Sequence, residues 1–517
     1  MFSLLARAHA QRNLQIELFS TKLKSVKQDT LRVELKGEEE MKKASVISVL
    51  LLVVMAFALL PLAFTEAPSI ETMEEAPGYL VEFKGNRLPQ NAEAIIEECG
   101  GTVTSMLPDL AVIAAMPDGN PVAFEEALAF SDAIQCFGHD YVAELPDTLV
   151  VPVNEEQIEL ENGPSSFSDP YYWLYQWHLW HTIEASPDGA WQITTGDPAV
   201  SVAVLDTGID YNHGDIAPNY DFALSKTFVP YEDEMDYDGH GTWCGGLVAA
   251  AVNDDPNDWK CIGIGPTLNL VNLKVMDATG SGWFSWVFEA VYYAVANDID
   301  VISMSLGGYL PRGVDRSFQS ICNKIFNYAH QNGIVCVGSA GNQGWDMDWV
   351  HAYYVHIPSQ SSGVIAVIGT DIYDDVCHTL WGSNYGSSLH GIAAPGGDGA
   401  FVEPEWYEPI IPPASWIYYY GFCYSTYAWT ATGYRYAWMG GTSMAAPHVA
   451  GVAGLILSVR PDFNPSQVRY VLQKGAEDIG EPGYDQYYNF GLLNAYESLV
   501  KATAKGGPSM HAMHVPA

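Results

Sequence analysis

Between residues 200 and 370, short β-branched runs alternate with helical stretches. The runs are Val200–Leu205, Leu268–Val275, Val301–Ser305, Ile334–Gly338 and Val364–Ile368; the helical stretches include Thr242–Val252, Phe284–Asn297 and Phe318–Asn332. Strands this uniformly apolar are buried on both faces, and strands separated by helices return parallel to one another. The pattern predicts an α/β fold built on a doubly wound, mostly parallel sheet. Ligands of such sheets bind beyond the carboxyl ends of the strands, so the residues after each run carry the functional argument.

Those residues are reactive ones. Asp206-Thr207-Gly208-Ile209-Asp210 follows the first run, Asp238-Gly239-His240-Gly241-Thr242 opens a helix, and Ser339-Ala340-Gly341-Asn342 follows the fourth run. Downstream, Gly440-Gly441-Thr442-Ser443-Met444-Ala445-Ala446-Pro447-His448 reads as a glycine turn that delivers a serine onto the first turn of a helix. Thr442 is the expected N-cap, and Pro447 lies near enough to the helix start to be tolerated. Taken singly, Asp206 is a turn residue, His240 and Ser443 are caps, and Asn342 is a loop residue. Taken together, in the order Asp, His, Asn, Ser, they make an acyl-transfer set. It comprises a nucleophile, a base, a carboxylate that orients the base, and an amide donor for the oxyanion.

With Met304-Ser305-Leu306-Gly307-Gly308 added, these motifs resemble the subtilisin-like serine proteases, or subtilases, from about Asp169 to Thr503. The resemblance implies a serine endopeptidase acting on proteins or peptides, with Ser443 as nucleophile, His240 as general base and Asp206 as its orienting carboxylate. It makes the Asn342 amide an oxyanion donor. It also makes Ser305, Leu306, Gly307 and Gly308 the strand that binds substrate backbone and lines the P1 pocket. The loop Asn253-Asp254-Asp255-Pro256-Asn257-Asp258 clusters hard oxygen donors that suit Ca²⁺. The resemblance implies a structural calcium held by Asn253, Asn257 and Asp258, with Asp215 as a remote carboxylate. The acidic run Glu232–Asp238 reads as a solvated loop. Trp243 is bulkier than usual after the histidine motif. Asp346 and Asp348, just past the Asn342 loop, leave a preference for basic P1 residues open.

The remaining chain divides by composition. Met41-Lys42-Lys43 and the apolar run Val46–Phe64 read as a signal peptide over 41–67, with a membrane anchor as the alternative, and residues 1–40 as an upstream extension. Export to the extracellular space is expected, or display at the outer face of the cell membrane in the anchored case. Residues 77–146 alternate as β-α-β-β-α-β, the order of a ferredoxin-like α+β unit. The resemblance makes this unit a propeptide, an intramolecular inhibitor removed by self-cleavage. Residues 147–168 are polar with Pro and Gly and read as a linker holding the processing site; 504–517 read as a disordered tail. The chain has 62 acidic against 23 basic residues, a net charge of −39, which argues against a nucleic-acid partner. The enzyme is expected to be a monomer.

Eight cysteines without a Cys-x-x-Cys pair, in an exported chain, predict one or more disulfides of undecided connectivity. His213, His330, His351, His356 and His448 read as structural. Residues 401–437 are dense in aromatics, which form either a private core or a binding surface. The latter supports a rival reading, a catalytically silent adhesin on a subtilase scaffold. An α/β-hydrolase esterase is disfavoured, because Ala445 stands where the second glycine of its elbow motif belongs.

Overall fold

A computed structural model describes residues 72–146, 148–152, 176–183, 189–252, 261–378, 381–398 and 421–504, all within one compact unit. The expected signal segment, the upstream extension, the tail beyond 504 and most of the 147–168 linker lie outside the described residues.

The first part is a small sandwich. Strand β1 (Glu75–Phe83), helix α1 (Ala92–Glu98), β2 (Gly101–Leu107), β3 (Val112–Pro117), α2 (Pro121–Phe130) and β4 (Ile134–Glu144) fold into an antiparallel sheet of order β2-β3-β1-β4. Alternation along the strands splits the sheet between two cores. Val81 and Ile113 pack with Ile96, Phe124 and Leu128 of its own helices. Leu80, Val112, Ala114 and Tyr141 face the other way and join a core of the large domain. After it comes β5 (Leu149–Pro152). A linker was expected here; its four residues instead form a strand, because an open edge waits for them.

The large domain holds α3 (Trp177–Ile183), β6 (Ser201–Asp206), β7 (Lys226–Thr227), α4 (His240–Ala249), β8 (Asn269–Lys274), β9 (Ser281–Trp283), α5 (Phe284–Ala296) and β10 (Val301–Met304). It continues with β11 (Gly308–Pro311), α6 (Arg316–Gln331), β12 (Val335–Ser339), α7 (Met347–Val350), β13 (Tyr354–Ile357), β14 (Val364–Thr370) and β15 (Ile392–Pro395). It closes with β16 (Cys423–Thr426), α8 (Trp429–Thr432), β17 (Tyr436–Gly440), α9 (Thr442–Val459), α10 (Pro465–Gly475) and α11 (Ala495–Thr503). Seven parallel strands lie in the order β15-β14-β12-β10-β6-β8-β7. Val202 and Val204 point to the layer of α4, α9, α10 and α11, whereas Ala203 and Leu205 point to the layer of α5 and α6. This is the doubly wound architecture that the alternating runs predict.

Three local expectations need correction. Gly441, not Thr442, is the N-cap of α9; Thr442 is its first residue and spends its hydroxyl on neighbours. None of the eight cysteines forms a disulfide. Six are buried, among them Cys244 beside His240, while Cys99 and Cys136 are partly buried, Cys136 with its sulfur 3.3 Å from the Glu82 carboxylate. Of the aromatic insertion, 401–420 fall outside the described residues. Cys423, Tyr427, Ala437 and Met439 join the main core, so the described part is no private mini-core. By contrast, α10 starts with the expected capping box, Asn464 and Gln467 each bonding the other's backbone.

Candidate active site

Three ends of the fold converge. Asp206 ends β6, His240 begins α4, and Ser443 is the second residue of α9. Asp206 Oδ1 accepts from the Thr207 N–H and from His240 Nδ1, each at 2.8 Å, with both residues buried. Burial alone would push the imidazole down. The Asp206 carboxylate and its hydrogen bond outweigh that and hold His240 well above its usual value. Cys244, one turn on, brings its sulfur to 3.9 Å from Nδ1, and burial raises its thiol. His240 Nε2 has no hydrogen-bond partner among the described residues, while the Ser443 hydroxyl donates to the Ser305 carbonyl at 3.3 Å. The three side chains are thus assembled with the Ser–His bond not yet made.

Helix chemistry fixes the serine. Pro447 has no N–H to give the carbonyl four residues back, and that carbonyl belongs to Ser443. It accepts instead from Ser305 Oγ at 2.8 Å and Cys244 Sγ at 3.7 Å. An orphaned buried carbonyl costs about 1–3 kcal/mol, so Ser305 ties the β10 end to the nucleophile's backbone. The Ser443 N–H belongs to the first turn, where helix donors lack intrahelical partners. The Asn342 amide is oriented by its oxygen, which accepts from the Thr442 N–H and hydroxyl at 2.8 Å each. Its Nδ2 is thereby turned toward Gly441, where an added Cβ would lie 3.0 Å away.

One positioning residue is missed by the sequence reading. Asp236, expected on a solvated loop, is fully buried. Its Oδ1 accepts from Gly239 N–H and the Thr207 hydroxyl, and its Oδ2 from the Thr242 N–H and hydroxyl, at 2.7–2.9 Å. It caps α4 and clamps the loops carrying Asp206 and His240. Burial raises its carboxyl, and these hydrogen bonds pull partly the other way. The signal available was a carboxylate just before a helix start. Glu232 of the same run pairs with buried Lys274 at 2.8 Å. Trp243 is buried and donates its indole N–H to Ala437 O at 3.0 Å.

The docked N-terminal unit crosses this site. Val142–Glu144 of β4 lies antiparallel to Ser281–Trp283 of β9. Glu144 exchanges backbone hydrogen bonds with Gly307 at 3.0 and 3.3 Å, and Leu145 N–H donates to Gly280 O at 3.0 Å. Beyond the serine, β5 pairs with β17, placing Leu149 opposite Gly440. A cavity of about 130 Å³ beside Pro146 is walled by Leu306, Gly307, Gly308, Ser339, Gly341 and His356. Of the four residues expected to bind substrate, Leu306, Gly307 and Gly308 line this cavity, whereas the Ser305 hydroxyl is spent on the Ser443 carbonyl. His356 goes beyond a structural role, since its ring lies against Tyr309 (centroids 4.8 Å) and would meet a Cβ on Gly307 at 2.8 Å. Burial lowers its pKa to about 4, so it is neutral. Asp346 and Asp348 do not line the cavity. Asp346 caps α7 and bonds Gln486, and Asp348 accepts from Ser387 and Ser388 N–H groups.

For a cation, Asn253, Asn257 and Asp258 lie outside the described residues. Asp215 is buried between the two ends of that loop. Its carbonyl accepts from the Ala251 N–H at 2.7 Å, and its carboxylate accepts from Cys261 Sγ at 3.5 Å and the Tyr436 hydroxyl at 3.0 Å. A buried carboxylate at the foot of an oxygen-rich loop fits a hard divalent ion.

Residues 197–491 match the Subtilase family. The chain is 32% identical over 344 residues to the thermophilic serine proteinase of Bacillus sp. (strain AK1), covering 66% of this chain and 71% of that protein. It is 34% identical over 336 residues to thermitase of Thermoactinomyces vulgaris, covering 64% and 98%. The fold superposes on the epidermin leader peptide processing serine protease of Staphylococcus aureus with a TM-score of 0.64 at 22% identity, covering 84% of this chain and 100% of that one. It also superposes on fervidolysin of Fervidobacterium pennivorans with a TM-score of 0.61 at 21% identity, covering 84% and 62%.

Proposed function

The chain belongs to the subtilase family and is a serine endopeptidase; on that premise we propose that it is exported as a zymogen whose 72–146 segment inhibits the site until the enzyme cuts the segment off itself. Ser443 Oγ attacks the scissile carbonyl and passes its proton to His240 Nε2, and Asp206 holds the imidazolium that forms. The Asn342 amide and the Ser443 N–H carry the negative charge of the tetrahedral oxygen. His240 then gives the proton to the leaving amine, and a water repeats the sequence to free the acyl group. Asp236 acts as a positioning residue, keeping base and carboxylate in register. In the zymogen, a rotation about Cα–Cβ of Ser443 would turn its hydroxyl from Ser305 O toward Nε2 to begin the reaction. The loop around Asn253, Asn257 and Asp258, with Asp215, would hold a structural Ca²⁺ that braces the end of α4 away from His240.

One observation carries this reading. The chain is strand-paired on both sides of the serine, at Val142–Glu144 against β9 and Gly307 and at Leu149–Pro152 against β17, and Pro146 lines the cavity walled by Leu306, Gly307 and His356. A backbone paired on both sides of the cleft is how a protease presents a bond, and the place of Pro146 at the cavity supports a cut after that residue. The test is the intact mass and N-terminal sequence of the secreted wild type beside Ser443→Ala. The wild type is expected to begin at Asp147, and the variant to retain the 72–146 segment. If both retain it, the chain does not process itself, and a scaffold that only binds becomes the better reading.

A further inference from the structure

We propose that the enzyme grips its substrates well beyond the scissile bond, taking the third to sixth residues after the cut as an added antiparallel strand on the edge of β17. The inference rests on the protease reading above.

The observation is the seat of β5. Leu149, Val150, Val151 and Pro152 lie opposite Gly440, Met439, Trp438 and Ala437. β17 is occupied on its other side by β16, from Cys423 opposite Met439 to Thr426 opposite Tyr436, so β5 fills its remaining edge. That edge is continuous with the nucleophile: Gly440 is three residues before Ser443, and Glu144 is tied to Gly307 on the other side. A chain held at both places has room only for Leu145–Thr148 to pass the serine. With the cut after Pro146, residues 149–152 are the third to sixth beyond it.

Those four residues are not a permanent part of the hairpin in a working enzyme. A second polypeptide can place a bond at Ser443 only if its downstream half crosses the same ground, so β5 has to leave first. Its departure exposes the unpaired N–H and C=O groups of β17, an edge that favours another extended backbone. The occupant chemistry is also set. Val150 packs against the main core while Pro152 is exposed. The site therefore selects an apolar side chain at the fourth residue after the cut; the sixth shares that face of the strand but lies exposed beyond the core, so any side chain is tolerated there.

The test uses the self-processed wild-type enzyme and peptides sharing one upstream half, ending in Leu-Pro, with two, four or six residues after the bond and Val at the fourth. Cleavage is followed by mass spectrometry. The expected result is a rise in kcat/KM of roughly tenfold or more from two residues to six. A further mark is that N-methylation at positions three to six hurts at alternate residues only, as in a strand edge. Exchanging the fourth-position Val for Asp should remove most of the gain. Equal rates across the series, or an N-methyl effect without alternation, would overturn the proposal while leaving the protease reading in place. If no peptide of any length is cut, both fall.

Discussion

At the scale of single residues, the site is an arrangement in which backbone irregularities are reused. Pro447 breaks one helical bond, and the freed Ser443 carbonyl becomes the anchor for Ser305. Asp206, His240, Asn342 and Ser443 were legible because each sits within two residues of a glycine, at or just past the end of a strand or at the start of a helix. Asp236 was not, because a run such as Glu232–Asp238 looks solvated until the start of α4 is brought over it. His356 was half legible, read as structural yet lining the cavity beside Pro146, where the proposed P1 side chain would enter. Replacing it by glycine opens that cavity. In His356→Gly, the ratio of kcat/KM for a peptide with Phe before the bond to one with Ala is expected to rise roughly tenfold or more. A ratio that stays put would mean that another wall limits the pocket.

Among elements, the contact between β4 and α5 decides how the N-terminal unit is held. Asp140 is buried at the start of α5 and accepts from Ser285 N–H at 3.2 Å and Tyr141 N–H at 2.9 Å, while Tyr141 packs edge-on against Phe318. Burial raises its pKa from 3.8 to about 6. A carboxyl raised by docking favours the docked state at low pH, and that contribution fades as pH climbs through the raised value. The cleaved unit should therefore leave the enzyme more readily at pH 8 than at pH 5. The share due to Asp140 between these two pH values is roughly tenfold in dissociation constant. Size-exclusion chromatography of the processed complex at both pH values checks this, and Asp140→Asn should flatten the difference. The parallel strands β6, β8, β10, β12 and β14 were readable from their β-branched runs. β5 and β9, with four and three residues, were not. Their partners, Tyr436–Gly440 and Val142–Glu144, are distant in sequence, so no local pattern announces them.

For the molecule as a whole, the N-terminal unit and the large domain share one chain and one core: Leu80 and Tyr141 of the first part pack in the same cluster as Val287 and Phe318 of the second. The strand pairs that flank Ser443, one ending at Glu144 and one starting at Leu149, are therefore already in place when folding ends, and the effective concentration at Ser443 of the chain that joins them is set by the fold, not by how many molecules surround it. Maturation then follows first-order kinetics. Its half-time should be unchanged over roughly a hundredfold dilution, read by the appearance of the Asp147 N-terminus. A half-time that lengthens with dilution would mean that neighbours do the cutting. A clock of this kind starts with folding and is indifferent to crowding, so every copy has the same chance per unit time of becoming dangerous to the proteins around it.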